Sequence, residues 1–171
     1  IAEYEDYRHE LRFCPLKSDI TDDLDERLKT VEEIVNYIQP QIRKAIYISN
    51  ADNEIVVADK MLMAFNTGKC DVFFEKGTYT LNEVYEYLIS KGMRSTAVGL
   101  PVGNGCRYYF NGSTIISNVP SNGFNNYRNV LDSCWMGSDY EIYDATLINN
   151  GGLYCVHDEG ASDDTPYTHK Y

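Results

Sequence analysis

The chain has 171 residues, and its 26 Asp and Glu outnumber its 15 Lys and Arg, so the formal net charge is −11 and the sequence pI is near 4.6. Proteins that bind DNA or RNA take much of their affinity from Lys and Arg on the phosphate backbone, and this balance argues against such a partner. It suits a solvated exterior, a divalent cation or an uncharged partner such as a glycan.

The length fits one domain with a small appendage. The first residue is Ile1 rather than Met, so we expect a piece of a longer chain. The sequence shows no signal-like apolar segment near its start and no run of about 18 apolar residues, so we predict no membrane span. Residues 1–17 mix charges and aromatics without a period, and we expect an arm whose order depends on a partner.

Five cysteines are present, at positions 14, 70, 106, 134 and 155. Their number is odd, they form no C-x-x-C pair, and no His is spaced to complete a zinc site. Each has apolar or aromatic neighbours, which favours buried free thiols and synthesis in a reducing compartment.

A helix is predicted from Ser18, where Ser18 and Asp19 can cap its first turn, to Pro40, which ends it. Its apolar residues follow the 4, 3, 4, 3 spacing of a coiled-coil seam. They are Leu24, Leu28, Val31, Val35 and Ile38. A helix that packs on its own domain usually has a wider apolar stripe, but two heptads are too few to separate the alternatives. An oligomerising helix and an intramolecular helix both stay open.

The next segments alternate between β-rich runs and helical patterns. Residues 43–50 and 53–58 are β-rich and are separated by turn residues, which predicts a hairpin or two short strands. A helix is predicted over residues 59–67, with Gly68 at its C-terminal cap. Val72, Phe73 and Phe74 then indicate a strand covered on both faces, and Gly77 permits a turn before residues 78–80 resume β propensity.

This order of elements resembles the start of the pectate-lyase-like right-handed parallel β-helix, the fold of phage tailspikes and related polysaccharide-active proteins. The matching residues are 58–65 for a helix that caps the solenoid, Gly68, the strand at 72–74 and Gly-Thr-Tyr at 77–79. The chain departs from the family at Glu75-Lys76, where the family often has Pro before its Gly.

The remaining sequence is similar to the coils of that family. Residues 112–118, GSTIISN, recur in outline as residues 144–150, DATLINN, and residues 149–152, NNGG, precede a further apolar strand. Other β-rich pieces lie at 107–110, 130–135, 140–143 and 153–157, and a helical insertion is predicted near 81–92. We therefore expect a mainly β fold, a parallel β-helix over residues 41–171 after an arm and oligomerising helix over residues 1–40. An ordinary β-sandwich is the alternative.

Acidic residues cluster near the C-terminal end, in residues 156–164, and Asp158, Glu159 and Asp163 are the candidate catalytic residues. A glycoside hydrolase needs two carboxylates on one sugar bond. A lyase of the resembled family needs carboxylates for Ca²⁺ and a base, often Arg or Lys, beside a uronate. The alternative is an acidic turn between coils. We predict no required cofactor, with Ca²⁺ as the one candidate.

Aromatic residues are the second candidate for ligand binding, because sugars lie on aromatic rings while polar groups bind their edges. The chain has 15 Tyr and one Trp. Trp135, Tyr140 and Tyr154 are the candidate glycan-binding residues, although about half of the side chains in a strand must point inward.

The resemblance implies a fragment of a phage or prophage tail fibre or tailspike that binds a host-surface glycan. It also implies a homotrimer, located in the virion after synthesis in the bacterial host cytoplasm, with residues 1–17 available to other tail proteins. The alternatives are a polysaccharide lyase or glycoside hydrolase, a connector without a ligand, and a bacterial extracellular or surface location.

Overall fold

The computed structural model describes residues 18–38, 42–122, 126–133, 139–158 and 169–170. The chain divides into two compact units, Ile1–Ile42 and Arg43–Tyr171. The arm predicted at residues 1–17 lies outside the described residues, as do the candidate site residues Trp135, Glu159 and Asp163.

The described part of the first unit is one helix, α1, which spans Ser18–Ile38. It ends two residues before Pro40, as predicted, because a proline disfavours helical geometry in the residue before it. The Thr30 hydroxyl donates to the Glu26 carbonyl at 3.0 Å within the helix.

The described part of the second unit contains two helices and nine strands. The helices are α2, Glu54–Thr67, and α3, Val84–Ser90. The strands are β1 (Lys44–Ile48), β2 (Cys70–Phe74), β3 (Thr78–Leu81), β4 (Ala97–Pro101), β5 (Cys106–Ser117), β6 (Tyr127–Asp132), β7 (Tyr140–Asn149), β8 (Val156–His157) and β9 (His169–Lys170).

These strands form two sheets. The larger has six strands in the order β1-β2-β5-β7-β9, with β3 also paired to β5, and the smaller has the order β4-β6-β8. Every described strand pair is parallel. Parallel neighbours need a crossover connection, and α2 supplies the one between β1 and β2.

The predicted right-handed parallel β-helix is wrong. The described chain is a mixture of α-helices and parallel strands in two sheets, and these sheets do not form the stacked coils of a solenoid. The alternative sandwich is also wrong, because a sandwich is built from antiparallel strands and the described pairs are parallel.

The helix predicted over residues 59–67 begins earlier, at Glu54, so the predicted strand at residues 53–58 is wrong. Asn53 decides this, because its side chain accepts hydrogen bonds from the amides of Ile55 and Val56, at 3.1 and 3.0 Å, and caps the helix. Without that second strand there is no hairpin, and β1 instead pairs in parallel with β2. Gly68 ends the helix at the predicted position, with φ +70°.

The predicted short strands at 107–110 and 112–118 are one long strand, β5, and those at 140–143 and 144–150 are one long strand, β7. Each bends near its middle, at residues with positive φ, which are Asn111 (+52°) and Gly112 (+72°) in β5 and Asp144 (+54°) in β7. The half of β5 before the bend pairs with β2, and the half after it pairs with β3. The bend therefore divides the large sheet into two parts.

The core of the second unit lies between the helices and the inward faces of the strands. The helix predicted near 81–92 is the shorter α3, and the Glu54 carboxylate accepts hydrogen bonds from the amides of Asn82, Glu83 and Val84 at 2.6, 3.0 and 3.2 Å, next to its first turn. On α3, burial raises the pKa of Tyr85 to about 12. Its hydroxyl lies 2.5 Å from Ser117 Oγ and 3.0 Å from the Asn129 carbonyl.

Three cysteines lie in the described residues, and all three are free thiols. Cys70 and Cys106 are buried as predicted, and the Cys70 amide donates to Cys106 Sγ at 3.5 Å. Burial raises the pKa of the Cys70 thiol. The prediction of a buried thiol is wrong for Cys155, which is exposed. Cys14 and Cys134 lie outside the described residues.

Candidate functional site

Four aromatic side chains stack in a row on the outward face of the six-stranded sheet. Tyr47, Phe73, Tyr109 and Tyr143 occupy one register position in β1, β2, β5 and β7. The centroids of successive rings are 5.4, 4.9 and 4.9 Å apart, and their planes differ by 21°, 9° and 7°. Neighbouring strands are about 4.8 Å apart, which is a suitable spacing for stacked rings. We call these four residues the aromatic ladder.

The ladder leaves its first ring open. Phe73 and Tyr109 each stack on a ring at either side, so both of their faces are covered. Tyr47 stacks only on Phe73 among the described rings, and 69% of it is exposed. Tyr47 can therefore offer a ring face to a ligand.

A row of alternating charges runs beside the ladder, from Arg43 through Asp71 and Arg107 to Glu141. The Arg43 guanidinium donates to Asp71 at 2.5 Å, and Arg107 Nε lies 3.6 Å from Glu141 Oε1. Burial works against the charge on Arg107, but Glu141, Tyr109 and Asp71 together outweigh it and raise the Arg107 pKa. Two positive and two negative side chains make this row neutral.

A cleft of about 580 Å³ opens beside Tyr47. We call it the Tyr47 cleft, and its lining combines the aromatic and apolar surface of the strands with four polar side chains. The lining residues are Tyr47, Ile48, Ser49, Lys60, Phe73, Phe74, Glu75 and Asn111. Ligand sites in proteins have this general character, a mostly apolar concavity with a few placed polar groups.

The polar groups of the cleft are held in place by neighbouring residues. The Glu75 carboxylate accepts hydrogen bonds from Ser49 Oγ at 2.8 Å and the Asn50 amide at 3.1 Å. Asn111 Nδ2 donates to the Phe74 carbonyl at 2.8 Å. Lys60 forms an ion pair with Asp52. Burial works against the charge on Asp52, but the hydrogen bonds from Lys60 and from the Ser49 amide outweigh it and lower the Asp52 pKa.

Of the three predicted catalytic residues, Asp158 is the one that the structure describes. Its Oδ1 accepts from Ser133 Oγ at 2.9 Å, and its Oδ2 accepts from the Tyr140 hydroxyl at 3.3 Å. Beside it, His157 Nδ1 lies 3.2 Å from the carboxylate of Asp132, which is only 1% exposed. The described residues thus give this region one accessible carboxylate rather than the two that a hydrolase directs at one sugar bond. Glu159 and Asp163 lie outside the described residues.

Two of the predicted glycan-binding residues, Tyr140 and Tyr154, differ in their exposure to solvent. Tyr140 is 1% exposed, so its ring is part of the core and has no face for a sugar. Tyr154 is 45% exposed and packs edge-on against Tyr127, with ring centroids 5.8 Å apart. Trp135 lies outside the described residues. Of the two that the structure describes, Tyr154 is the one placed where a ligand can touch it.

The apolar stripe of α1 is exposed. Leu24, Leu28, Val31 and Val35 have exposed fractions of 51%, 60%, 55% and 49%, and Ile34 beside them is 51% exposed. Ile38 is the last residue of α1, and its side chain lies outside the description.

The aromatic ladder is the feature that sequence reasoning missed. Tyr109 and Tyr143 stand out as strand tyrosines, but Tyr47 lies in a run predicted as part of a hairpin or as a separate short strand, and Phe73 lies in a strand predicted to be covered on both faces. The available signal is positional, since Tyr47, Phe73 and Tyr109 each lie between two buried residues of their strand, as in Ile46-Tyr47-Ile48. That pattern marks an outward residue, and only the register shows that the four outward rings meet.

Comparisons of the chain with protein-family models, with curated proteins and with solved structures found no match. Among the described helices, none is long and apolar enough to cross a membrane. Within the described ranges, no group of three or more His, Cys, Asp or Glu side chains is arranged to hold a metal ion.

Proposed function

We propose that this chain binds a cell-surface glycan through the Tyr47 cleft. The observation that carries the proposal is the ring of Tyr47, 69% exposed at the end of a stacked ladder and open to a cleft of about 580 Å³. A sugar ring packs on an aromatic face through its C–H groups, while its hydroxyls hydrogen-bond to polar groups beside it. Ser49, Glu75 and Asn111 are the neighbouring polar groups.

The stacked rings also fix the geometry of the site. An isolated surface tyrosine loses side-chain freedom when a ligand orders it, at a cost of about 0.5–1.5 kcal/mol. Phe73 already restrains the Tyr47 ring from one side, with the two planes 21° apart. This preorganisation favours binding, and it distinguishes Tyr47 from Tyr154, whose neighbour Tyr127 meets it edge-on.

The proposed biological setting is the one that the sequence resemblance implies, a phage or prophage tail fibre or tailspike that recognises its host, here without a β-helix. Glycan recognition is the part of that assignment that the Tyr47 cleft supports. The virion location and the host are proposals that come from the sequence resemblance.

Self-association through α1 belongs to the same proposal. The exposed stripe places Leu28 and Val35 at a positions and Leu24, Val31 and Ile38 at d positions of a heptad. β-Branched residues at d favour three or four helices over two. In a parallel arrangement Arg27 at g faces Glu32 at e of the next helix, and these opposite charges attract. A parallel homotrimer fits both features.

The glycan proposal is tested by replacing Tyr47 and screening the full chain on an array of bacterial surface polysaccharides. Loss of one ring face removes about 0.5–1.5 kcal/mol, so Tyr47→Ala should weaken binding by about two- to tenfold, whereas Tyr47→Phe keeps the ring and should bind nearly as well. Tyr154→Ala is the matched control and should leave binding unchanged. Binding that depends on Tyr154 and not on Tyr47 would contradict the proposal.

The oligomer is tested separately by light scattering of the purified chain. Leu28→Asp with Val35→Asp should reduce the mass from trimer to monomer, because both changes place charge in the apolar seam. Thr30→Asp with Asn36→Asp adds the same charge away from the a and d positions and should leave the mass unchanged. An unchanged mass in the seam variant, or a wild-type monomer, would refute this assignment.

A further inference from the structure

The charges around the Tyr47 cleft do not cancel. Two of its eight lining residues are charged, Lys60 and Glu75. Lys60 forms its ion pair with Asp52, at side-chain exposures of 28% and 17%. Lys60 is thus paired outside the lining, and Glu75 has no ion-pair partner among the described residues, so its carboxylate brings a negative charge beside the Tyr47 ring.

Other nearby cations are directed elsewhere. Arg43 pairs with Asp71 and donates to the carbonyls of Cys70 and Gly105, at 3.0 and 2.5 Å. The Lys76 side chain lies over Gly112, with Nζ 3.9 Å from the position that a Cβ would occupy there, and it does not line the cleft. The charged row beside the ladder is neutral. Within the described residues, none of these groups forms an ion pair with Glu75.

We propose that the Tyr47 cleft selects uncharged or amino sugars and excludes acidic ones. This inference rests on the proposed glycan-binding function and names the class of glycan. Sugar hydroxyls and ammonium groups are hydrogen-bond donors, and the carboxylate of Glu75 accepts from them with the added strength of a charged acceptor. A uronate, sialate or phosphate would instead bring a second negative charge to Glu75.

The whole chain strengthens this selection at long range. Its formal net charge is −11, so an acidic polysaccharide is repelled as it approaches. Surface charges act over a Debye length of about 8 Å at physiological salt and over a longer distance at low salt. Discrimination against acidic polymers should therefore be stronger at low salt.

The negative charge of Glu75 also bears on the alternative that this chain is a polysaccharide lyase. A polysaccharide lyase removes a proton beside a uronate carboxylate and needs a positive group to hold that carboxylate. The Tyr47 cleft has no uncommitted cation among its described lining residues. The cleft is therefore unsuited to uronate elimination. It suits the binding of neutral polysaccharides or of polysaccharides that carry amino groups.

The test compares binding of the full chain to four soluble polymers by calorimetry at 20 and 150 mM salt. Mannan and dextran are neutral, chitosan is cationic, and alginate is a uronate. The neutral or cationic polymers should bind at least tenfold more tightly than alginate. Glu75→Lys should reverse the local charge, so it should weaken chitosan binding and strengthen alginate binding. Glu83→Lys makes the same change in total charge outside the cleft and should preserve the wild-type order, and Glu75→Gln should fall between.

Each result has a distinct meaning. If the wild-type chain binds alginate more tightly than the other polymers, and Tyr47→Ala abolishes that binding, the proposed selectivity is overturned but the glycan site is supported. An equal response to Glu75→Lys and Glu83→Lys would also overturn it, because selection would then come from total charge. Failure of every polymer here and of the polysaccharide array would overturn the glycan function itself, and the selectivity with it.

Discussion

The six-stranded sheet has two outward faces that differ in chemistry although they share the same long strands. Before the bends at Asn111 and Asp144, the outward residues are the aromatic ladder and its charged row. After the bends they are Thr and Ile, without charges or rings, and we call them the threonine face. Its residues are Thr78, Thr114 and Thr146 in one row and Thr80, Ile116 and Ile148 in the next.

Both halves bury large side chains on the inward side, and the two halves differ on the outward side. The aromatic half buries Phe74 and Phe110 inside the sheet, and it also stacks rings outside the sheet at centroid distances of 4.9–5.4 Å. In the threonine half, the outward residues are Thr and Ile, and its rings lie inside. Tyr79 of β3 is 4% exposed, and Tyr85 of α3 reaches Ser117 of β5 from within. A surface built from stacked outward rings is therefore available for a ligand in only one half.

The largest expected contrast comes from removing one residue at the centre of each face. Tyr109→Ala loses two ring contacts, of about 0.5–1.5 kcal/mol each, together with buried ring area, so it should reduce the free energy of unfolding by about 3 kcal/mol. Thr114→Ala should cost about 0.5 kcal/mol or less. Urea unfolding at neutral pH measures both. Tyr109→Phe, which keeps the stack, should remain close to wild type, and similar losses in Tyr109→Ala and Thr114→Ala would remove the contrast.

Alkaline pH should act on the inner side of the threonine half. Burial raises the pKa of Tyr79 and of Tyr85 to about 12 each. An unfolded tyrosine ionises near pH 10, so the stability that each provides is complete below pH 10 and declines as pH rises to 12, by about 1.4 kcal/mol per unit for a fully buried group. Unfolding followed from pH 9 to 12 should show this decline. Tyr85→Phe should make the decline shallower, and an identical slope would contradict the assignment to Tyr85.

The smallest effect is expected at the bend that separates the two halves. Asn111 has φ +52° and donates its Nδ2 to the Phe74 carbonyl. Asn111→Ala loses the hydrogen bond and adds strain in the left-handed region, at a cost of about 1–2 kcal/mol. Asn111→Gly loses the same hydrogen bond without the strain, so its melting temperature should lie between those of Asn111→Ala and wild type. The reverse order would show that strain does not contribute here.

Local signals in the sequence predict several elements well. Ser18 and Pro40 bracket α1, Gly68 ends α2, and the apolar run at residues 72–74 marks β2. Local signals fail where the same residue types can form either a helix or a strand. Residues 55–58, Ile-Val-Val-Ala, have high β propensity and form a helix because Asn53 caps it and its buried side meets the core.

Local signals in the sequence did not specify the fold class, for a related reason. Short strands separated by turns occur in solenoids, in sandwiches and in α/β sheets, and they differ in which strand pairs with which. The pairing of β5 with both β2 and β3, and the division into two sheets, depend on contacts between residues far apart in sequence. No periodicity within one segment specifies them.

For the candidate site, sequence alone determined the chemistry that was available: a negative net charge, many tyrosines and an apolar stripe on α1. Each of these is a property of composition or of a single helix. Tertiary structure decided which tyrosines can act, because a strand residue's neighbour is set by register, and register is fixed only when inward side chains find their places in a shared core. That is why Tyr140 became part of the core, while Tyr47 became the open end of a ladder.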